Sequence, residues 1–439
     1  MKAKYDVYQL LDAKKKGLEL TRPQIKWFID QYTQGLIQDY HVSAFLMAAF
    51  INGLNSEETA SLTDAMLESG AQLKFKGQNV IDKHSTGGIG DKASFILAPI
   101  AAAAGVKVPM IAGRGLGHTG GTVDKVEAIR GFKTDLNLTQ FSELLNKNGV
   151  VLIGQTPEIA PADRLIYALR DVTATIDSIP LITASIMSKK LAEGANGIVF
   201  DIKVGSGAFM KTKSDAKKLA LSLMQTAKRF KKGSAALLTD MDQPLGHFVG
   251  HSHELIESIE TLKGQGPKDL ALLSIELAAH MIFLAKKAKT LDLARDKAIS
   301  TITDGSALKK FRELIDAQGG DSKVIDNYSL LPQAKAKTVV RAPKSGYLES
   351  FQNEKIGHLL IDLGGGRRTK TDKIDFAVAF EFHRKKGDQL KKGDALLTIH
   401  HHPEQKNVAD RISKEMVTEV IKLSSKKIKP SQLIIETIA

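Results

Sequence analysis

The chain has 439 residues, of which 43% are hydrophobic and 25% charged, the balance of a soluble globular protein of about two to three domains. It contains no cysteine, which excludes thiolate catalysis, Cys-ligated zinc, iron–sulfur clusters and disulfide bonds. The formal net charge of +13 favours anionic partners such as phosphate esters, RNA or a membrane surface, without choosing among them.

No membrane segment or secretion signal is predicted. The longest apolar stretch, residues 95–106, is shorter than the roughly 20 residues that span a bilayer, and the first residues become amphipathic where a signal peptide would be apolar. Aromatic residues make up only 6% of the chain, too few for a row of base-stacking platforms. We therefore expect a cytoplasmic protein with no membrane and no nucleic acid as partners.

In chain order, the predicted elements describe an α/β fold between a helical beginning and a β-rich end. Residues 1–70 are predicted to be helical, with capping-box signals at Thr21 and Asn55. Two strand–glycine loop–helix units follow, with strands at 79–82 and 106–112. Such tandem units indicate a largely parallel sheet.

The second half of the chain returns to helix over 160–195, with a break at Pro180, before a buried strand over 197–204. Further helices extend to about residue 318. From about residue 333, short strands separated by glycine turns precede a closing helix near 406–424. This part is predicted to be a small β-rich α+β lobe.

The sharpest motif is the glycine-rich segment 113–127, GRGLGHTGGTVDKVE. Glycines let backbone N–H groups approach an anion, and the following helix N-terminus adds a partial positive charge. Thr122 lies near the helix start, where it can cap the helix or donate to phosphate. Gly115-x-Gly117-x-x-Gly120 also satisfies the dinucleotide fingerprint, and a purely structural turn is a third interpretation.

A second glycine loop, residues 83–91 (KHSTGGIGD), follows the preceding strand. Lys83, His84 and Ser85 put an ammonium, an imidazole and a hydroxyl directly before the glycines. Two such loops on adjacent strands converge at the carboxyl ends of a sheet, where open α/β folds bind ligands. Lysine, serine and amide N–H groups together suit a phosphate dianion.

The third pattern consists of two pairs of polar side chains at helical spacing. Tyr167 and Arg170 are three residues apart, and Ser185 and Lys189 are four apart, so each pair shares one helix face. Two cations and a hydroxyl suit a planar heterocycle that has carbonyl oxygens and leaves as an anion. On spacing alone, however, exposed salt-bridged cations are the better interpretation.

Together these segments resemble the pyrimidine nucleoside phosphorylase family, and the resemblance runs along nearly the whole chain. Besides the two glycine loops, it rests on four segments: IGQTPEIAPADRLIYALRDVTATIDSIPLITASIMSKKLAEG (153–194), DIKVGSGAFMK (201–211), TDMDQPLGHFVG (239–250) and GGGRR (364–368). The resemblance implies a pentosyltransferase that converts a pyrimidine nucleoside and inorganic phosphate into the free base and a pentose 1-phosphate, reversibly. It assigns phosphate binding to Lys83, Ser85, Ser94 and Thr122.

For the base, the resemblance assigns pyrimidine binding to Arg170, Ser185 and Lys189, with Tyr167 nearby. His84 would contact the base and help to protonate or stabilise the departing anion, so the catalytic residues would be His84, Arg170 and Lys189. Cleavage of the glycosidic bond develops negative charge on the base, and cations placed there bind more strongly in the transition state.

The resemblance implies no organic cofactor, but some members of the family bind a structural potassium ion. Similarity places that ion near residues of which several would contribute backbone carbonyls: Gly90, Lys92, Leu245, Phe248 and Glu257.

The resemblance also groups the segments into domains. Residues 1–70 and 160–195 would form a helical domain, residues 71–159 and 196–332 an α/β phosphate-binding domain, and residues 333–439 the C-terminal lobe. Phosphate and base would bind on opposite walls of one cleft that closes about a hinge. A homodimer joined through the helical domain is expected.

Two positions depart from the family pattern. Ala112 stands where a serine typically reaches phosphate, and the lost hydrogen bond would cost roughly 1.5–3 kcal/mol unless another donor replaces it. Met110 lies where uridine-accepting members tend to carry lysine. Since a thioether offers nothing to a ribose 2′-hydroxyl, thymidine is predicted to be preferred.

Two other functions stay open at this point. A phosphoribosyltransferase of the anthranilate type resembles the same fold and would need diphosphate and magnesium. A basic nucleic-acid-binding protein without catalysis rests on the net charge and predicts a steep salt dependence of binding.

Overall fold

The structure is a computed structural model that describes residues 5–75, 77, 79–115, 120–369 and 371–439. The helices are α1 (Val7–Lys15), α2 (Arg22–Thr33), α3 (Asp39–Asn52), α4 (Ser56–Glu68), α5 (Ser94–Ala103), α6 (Thr122–Val126), α7 (Leu138–Asn148), α8 (Pro161–Val172), α9 (Ile179–Ala192), α10 (Lys213–Arg229), α11 (His251–Leu262), α12 (Lys268–Leu284), α13 (Leu291–Thr303), α14 (Ser306–Ala317), α15 (Asn353–Asp362) and α16 (Lys406–Glu415). The strands are β1 (Ile81–Ser85), β2 (Val108–Ile111), β3 (Val150–Ile153), β4 (Gly197–Val204), β5 (Gly233–Asp240), β6 (Phe248–Val249), β7 (Ala336–Arg341), β8 (Gly346–Phe351), β9 (Ala379–Phe382), β10 (Gln389–Leu390), β11 (Ala395–His401), β12 (Ile421–Ser424) and β13 (Ile434–Ile438).

Helices α1–α4 share one hydrophobic core with α8 and α9, which come about 100 residues later in the chain. The signal at Asn55 is a capping box, in which the Asn55 side chain accepts from Glu58 N at 2.9 Å and Glu58 Oε2 accepts from Asn55 N at 3.0 Å. Apolar residues of α8 and α9, among them Ile166 and Leu181, are buried against the N-terminal helices. The helical part is therefore closed by a segment from the middle of the chain.

The central sheet has the strand order β1-β4-β5-β13, and β1, β4 and β5 run parallel. The parallel pair β2–β3 lies beside β1 through a bridge between Val80 and Lys107. Alternate residues of β4 enter two cores: Ile198 and Phe200 pack in the core that includes α10, and Val199 in the core that includes α12. The predicted, mostly parallel α/β sheet is confirmed.

The β-rich C-terminal part contains two antiparallel sheets, β10-β8-β12 and β6-β9-β11-β7. The helix predicted near 406–424 ends at Val420 after a π-helical turn, and 421–424 is strand β12, because these residues pair with the free edge of β8. The last strand, β13, leaves this lobe and pairs with the edge of β5 in the central sheet. The domain boundaries proposed from the sequence stay a prediction.

Among the described helices, none combines the length and the apolarity needed to cross a lipid bilayer.

Candidate active site

Strand β1 places its alternate side chains on the two faces of the central sheet and so separates two sets of predicted site residues. Ser85 pairs in register with Asp201 of β4, and His84 pairs with Phe200. Paired residues of parallel strands share a face, and side chains two apart on a strand do so too. Lys83 and Ser85 therefore lie on the Asp201 face, and His84 lies on the opposite face.

The first face carries a group of buried and half-buried charged and polar side chains, which we call the phosphate-side cluster: Lys83, Ser85, Asp91, Lys125, Asp201 and Lys203. Lys203 forms an ion pair with Asp201 at 2.7 Å, and neither side chain is exposed. Among the described residues, the only pairing of the Lys83 ammonium is an ion pair to Asp201 at 3.9 Å, beyond hydrogen-bond distance. A buried ammonium with unused donors is suited to an anionic ligand.

Asp91, a residue that sequence reasoning quoted without a role, lies at the centre of this cluster. It accepts from the Ser85 hydroxyl at 2.5 Å, and the Lys125 ammonium donates to its backbone carbonyl at 2.7 Å. Burial by itself would raise the pKa of Asp91, but Lys83, Lys203, the Ser85 hydrogen bond and Lys125 together hold that pKa below its usual range. The feature that could have identified Asp91 from the sequence is its position as the acidic residue at the end of the first glycine loop.

Lys125 brings the two glycine loops together. It lies in α6, directly after the second loop, and besides Asp91 it contacts Glu254 of α11 at 2.7 Å. Thr122 opens α6 and Ser94 opens α5, both half-buried, and their contact with phosphate stays a prediction. The convergence of the two loops, expected from the strand order, is present.

The second glycine loop is organised by Asp124, which sequence reasoning missed. Its carboxylate accepts from the Gly115 amide at 2.7 Å, from Arg114 at 2.9 Å and from Arg367 of the GGGRR turn at 2.8 Å. This links the C-terminal lobe to the loop. Gly117 lies outside the described residues, so the dinucleotide fingerprint is described only at Gly115 and Gly120.

Ala112, where the family typically has serine, does not supply a replacement donor from its own backbone. Its amide N–H donates to the Ile153 carbonyl at 2.9 Å as the continuation of the β2–β3 ladder. The sequence predicts one hydrogen bond fewer to phosphate at Ala112. The Ala112 amide does not replace that bond, because it already donates within the sheet.

On the opposite face of β1, Lys190 joins α9 to the beginning of β1 and to the carboxyl end of β2. Its buried ammonium bonds to Asp82 of β1, to the Ile111 carbonyl at 3.2 Å and to Glu193 at 3.2 Å. Burial and the neighbouring Asp82 raise the pKa of Glu193 well above its usual value, although Lys190 opposes them. No sequence motif predicted these contacts of Lys190. They attach α9 to the sheet at the residue that follows Lys189.

His84 faces the same side as these lysines and is neutral near pH 7. Its enclosed position lowers its pKa well below 6.5, and the positive charges of Lys190, Lys189 and Lys83 lower it further, while Asp91 opposes them. A neutral imidazole can donate a hydrogen bond to a base carbonyl, whereas an imidazolium would be needed to deliver a proton. The lowered pKa is therefore compatible with a hydrogen-bonding role for His84, which stays a prediction.

The structure brings Ser185 and Lys189 together, as their spacing predicts. The Lys189 ammonium donates to the Ser185 hydroxyl at 2.9 Å and to Asp163 of α8, and 22% of the lysine side chain is exposed. Asp163 is buried, and its Oδ1 has no hydrogen-bond partner within the described ranges. Sequence reasoning missed Asp163, because only packing of α8 on α9 brings it to Lys189.

Arg170 is buried rather than exposed, and its guanidinium holds the connection between α8 and α9. It donates to the backbone carbonyls of Thr175 at 3.3 Å, Ile176 at 2.5 Å and Leu181 at 3.1 Å. The half-buried Tyr167 ring lies under it, 5.5 Å from centroid to guanidinium carbon. A guanidinium has five N–H groups, so Arg170 keeps donors for a ligand after these three bonds.

We call Tyr167, Arg170, Ser185 and Lys189 the base wall. Spacing alone favoured exposed, salt-bridged side chains for both of its cations. Arg170 is buried instead, whereas Lys189 is ion-paired with Asp163 of the neighbouring helix and its side chain is 22% exposed.

The five residues predicted around potassium also come together, but the oxygens of Leu245, Phe248 and Glu257 already accept from an ammonium. The Lys92 ammonium donates to Leu245 O at 3.1 Å, Phe248 O at 2.7 Å and Glu257 Oε2 at 2.5 Å, and Gly90 lies against the Leu245 carbonyl. A potassium ion does not fit beside this ammonium.

Models of known families match three parts of the chain. They are described as a helical bundle domain of the glycosyl transferase family (residues 8–70), an a/b domain of the glycosyl transferase family (residues 77–308) and a pyrimidine nucleoside phosphorylase C-terminal domain (residues 347–419).

The chain is also similar to curated and solved proteins. Pyrimidine-nucleoside phosphorylase from Geobacillus stearothermophilus is 44% identical over 433 residues, 98% of this chain and 99% of that protein. The protein of the same name from Staphylococcus aureus (strain bovine RF122 / ET3-1) is 48% identical over 394 residues, 89% of this chain and 91% of that protein. The crystal structure of anthranilate phosphoribosyltransferase from Thermus thermophilus covers 70% of this chain and 98% of that chain with a TM-score of 0.59, and at 16% identity it shows a shared fold alone. The chain belongs to the pyrimidine nucleoside phosphorylase family, within the glycosyltransferases.

Proposed function

We propose that this protein catalyses the reversible phosphorolysis of pyrimidine nucleosides. The observation that carries the proposal is the division of β1: Lys83 contributes to the buried phosphate-side cluster, and the adjacent His84 faces the helix that carries Lys189. The family membership and the named relatives support the same reaction. A phosphoribosyltransferase reaction on this fold is not favoured, since the relatives at 44–48% identity are named phosphorylases.

In the proposed reaction, a phosphate oxygen forms a bond to C1′ as the bond from C1′ to N1 of the base breaks. The electron pair stays on the base, whose negative charge spreads to its carbonyl oxygens. Lys189 and Arg170 would stabilise that charge, with Ser185 and neutral His84 as hydrogen-bond donors. Lys83, Ser85, Ser94 and Thr122 would hold the phosphate beneath the sugar, where its charge also stabilises the oxocarbenium-like carbon.

The finer proposal is a preference for thymidine over uridine. It rests on Met110, which lies in β2 and is 2% exposed. Its thioether has no donor and only a weak acceptor for a ribose 2′-hydroxyl.

The first experiment measures release of free base from thymidine and from uridine, each with and without inorganic phosphate. We expect release that requires phosphate and is faster from thymidine. Release without phosphate, or release only with magnesium and a phosphoribosyl diphosphate as reactant, would contradict the phosphorylase. Equal rates from both nucleosides would contradict the thymidine preference alone.

We further propose a homodimer joined through the helical domain. Large apolar side chains of α1, α3 and their neighbourhood are exposed, among them Tyr8, Leu36, Tyr40 and Ile51. Burial of this surface against a second copy would remove it from water. Sedimentation velocity tests the proposal, and a monomer at micromolar concentration would contradict it.

A further inference from the structure

The ammonium of Lys92 lies at the centre of a closed ring of oxygens inside the protein. Its three contacts are the carbonyl oxygens of Leu245 and Phe248 and the carboxylate of Glu257. The side chains of Lys92 and Glu257 are 0% and 3% exposed. Because an ammonium has three N–H donors, this set satisfies all of them.

The backbone around the ring is shaped for close approach to this cation. Gly90 and Gly246 adopt φ values of +72° and +68°. A Cβ at Gly90 would lie 2.6 Å from the Leu245 carbonyl, and one at Gly246 would lie 2.4 Å from Glu257 Oε2 and 3.1 Å from the Lys92 ammonium. Both positions therefore exclude larger residues.

Backbone amides orient the carboxylate of the ring. The His247 amide donates to Glu257 Oε1 at 2.7 Å, and the Phe248 amide donates to Oε2 at 3.3 Å. The charged member of the ring is thus Glu257. The segment that contributes the two carbonyls also holds its carboxylate. Its charge is matched by the single charge of the ammonium.

We propose that the Lys92 ammonium is the resident monovalent cation of this ring, so that the protein neither binds nor requires potassium there. Carbonyl oxygens that replace a hydration shell are the environment in which proteins bind potassium. An ammonium carries the same charge and is held by the same oxygens. A potassium ion added to the ring would be a second buried positive charge with one carboxylate to neutralise both, which is unfavourable.

A covalently attached cation also connects two parts of the site. Lys92 directly follows Asp91 of the phosphate-side cluster, and its ring partners belong to residues 244–248 and to α11. The ammonium therefore fixes the end of the first glycine loop to the segment behind it, with no dependence on the salt in solution. In this sense Lys92 is a positioning residue.

Lys385 offers a matched control on the same segment. From the C-terminal lobe, its ammonium donates to Pro244 O at 2.6 Å, Gly246 O at 2.5 Å and Asp269 at 2.9 Å. It thus holds two carbonyls of residues 244–248 that Lys92 does not contact. Removal of Lys385, whose side chain is 22% exposed, takes an ammonium from this segment and leaves the three contacts of Lys92 in place.

The test compares thermal unfolding of the wild type, Lys92→Thr and Lys385→Met in potassium chloride and in choline chloride at about 100 mM, where saturation of a weak ion site shows as a rise in Tm. We expect the wild-type Tm to be the same in both salts. Lys92→Thr, which removes the ammonium and adds a hydroxyl oxygen, should lose stability in choline and recover at least about 2 °C in potassium. Lys385→Met should be destabilised equally in both salts.

Two outcomes would overturn the proposal. A potassium-specific, saturable rise in the wild-type Tm would show that the ring takes the ion in spite of Lys92. A folded Lys92→Thr variant that does not respond to potassium would show that the ring is not a cation site. If that variant does not fold, calorimetric titration of the wild type with thallium(I), a potassium substitute, decides: no binding is expected, and binding at one site would overturn the proposal.

The proposed reaction is assayed separately from these readouts. In wild-type protein, phosphate-dependent base release should have the same rate in potassium and in choline. Absence of base release in both salts would contradict the proposed function but would leave the result on the cation, which depends on Tm and on ion binding.

Discussion

The phosphate-side cluster and the base wall both present buried cations, but they are built in different ways. In the first, Lys83 and Lys203 project from neighbouring strands of one sheet and share the carboxylate of Asp201. In the second, Lys189 is paired with Asp163, and each residue comes from a different helix. Strand register sets the first arrangement, and helix packing sets the second.

This difference teaches that one strand can present side chains to two separate surfaces, and under the proposed function these should respond separately to mutation. Lys83 and His84 are adjacent in sequence, yet the alternation of β1 directs them to opposite faces. A change on one face should therefore alter the use of one substrate more than the other.

The largest effect is expected at Lys189. Lys189→Met removes a cation that would stabilise the departing base, and we expect kcat/KM for thymidine to fall at least about a hundredfold. Steady-state kinetics at saturating phosphate measure it. Lys14→Met is the control, because Lys14 is also a lysine of the helical part that is paired with a carboxylate, Glu58 at 2.8 Å, and it is more deeply buried than Lys189.

Near-wild-type turnover of Lys189→Met would contradict the proposal that the base wall stabilises the departing base. The same loss in Arg170→Ala would be less informative, because Arg170 also donates to three carbonyls of the α8–α9 connection. Lys189 is therefore the sharper site for this test.

An intermediate effect is expected at Lys83. Lys83→Met removes the buried ammonium whose donors are unused among the described residues, and the KM for phosphate should rise about 10- to 100-fold, the cost of a hydrogen bond to a charged group. The KM for thymidine should change less than threefold. An equal rise in both constants, in a Lys83→Met variant whose Tm is no lower than that of the Lys14→Met control, would contradict the division between the two faces.

The smallest effect concerns the pH dependence of His84. Its pKa is well below 6.5 in the folded protein, whereas the unfolded chain binds a proton below about pH 6.5. The contribution of His84 to stability is therefore complete above that pH and is lost as the pH falls, by up to about 1.4 kcal/mol per pH unit. Burial also lowers the pKa of His251 and His253 to about 4, so the wild type has several such groups.

Urea unfolding of the wild type and His84→Asn between pH 5 and pH 7 isolates the contribution of His84. The variant should lose stability less steeply on acidification. Imidazole resonances that titrate near pH 6.5 and disappear in His84→Asn would instead show an ordinary histidine that is charged in mildly acidic solution.

Much of the fold followed from local patterns. The strand at 197–204 and the capping box at Asn55 have local causes, an apolar run of strand length and a side chain that caps its own helix. Local patterns did not predict strands β12 and β13. Each forms by pairing with the edge of a strand from another part of the chain, β8 for β12 and β5 of the central sheet for β13. Helical periodicity near 406–424 gave no information about the edge of β8.

For the site, residue types and order along the sequence predicted two glycine loops suited to an anion. The assignment of two cations to a heterocycle followed from the family resemblance, since spacing alone favoured exposed ion pairs. Chain order also predicted that both loops reach the same end of the sheet, since parallel strands align their carboxyl ends. These properties depend on covalent order and on local propensity, which the sequence contains directly.

Only the tertiary structure decided which charges neutralise each other. Asp163 is 26 residues from Lys189, Glu257 is 165 residues from Lys92, and Arg367 is 243 residues from Asp124. Whether a lysine is a solvated side chain, a ligand for phosphate or a substitute for a bound cation depends on these distant partners, because the free energy of a buried charge is set by the groups that surround it.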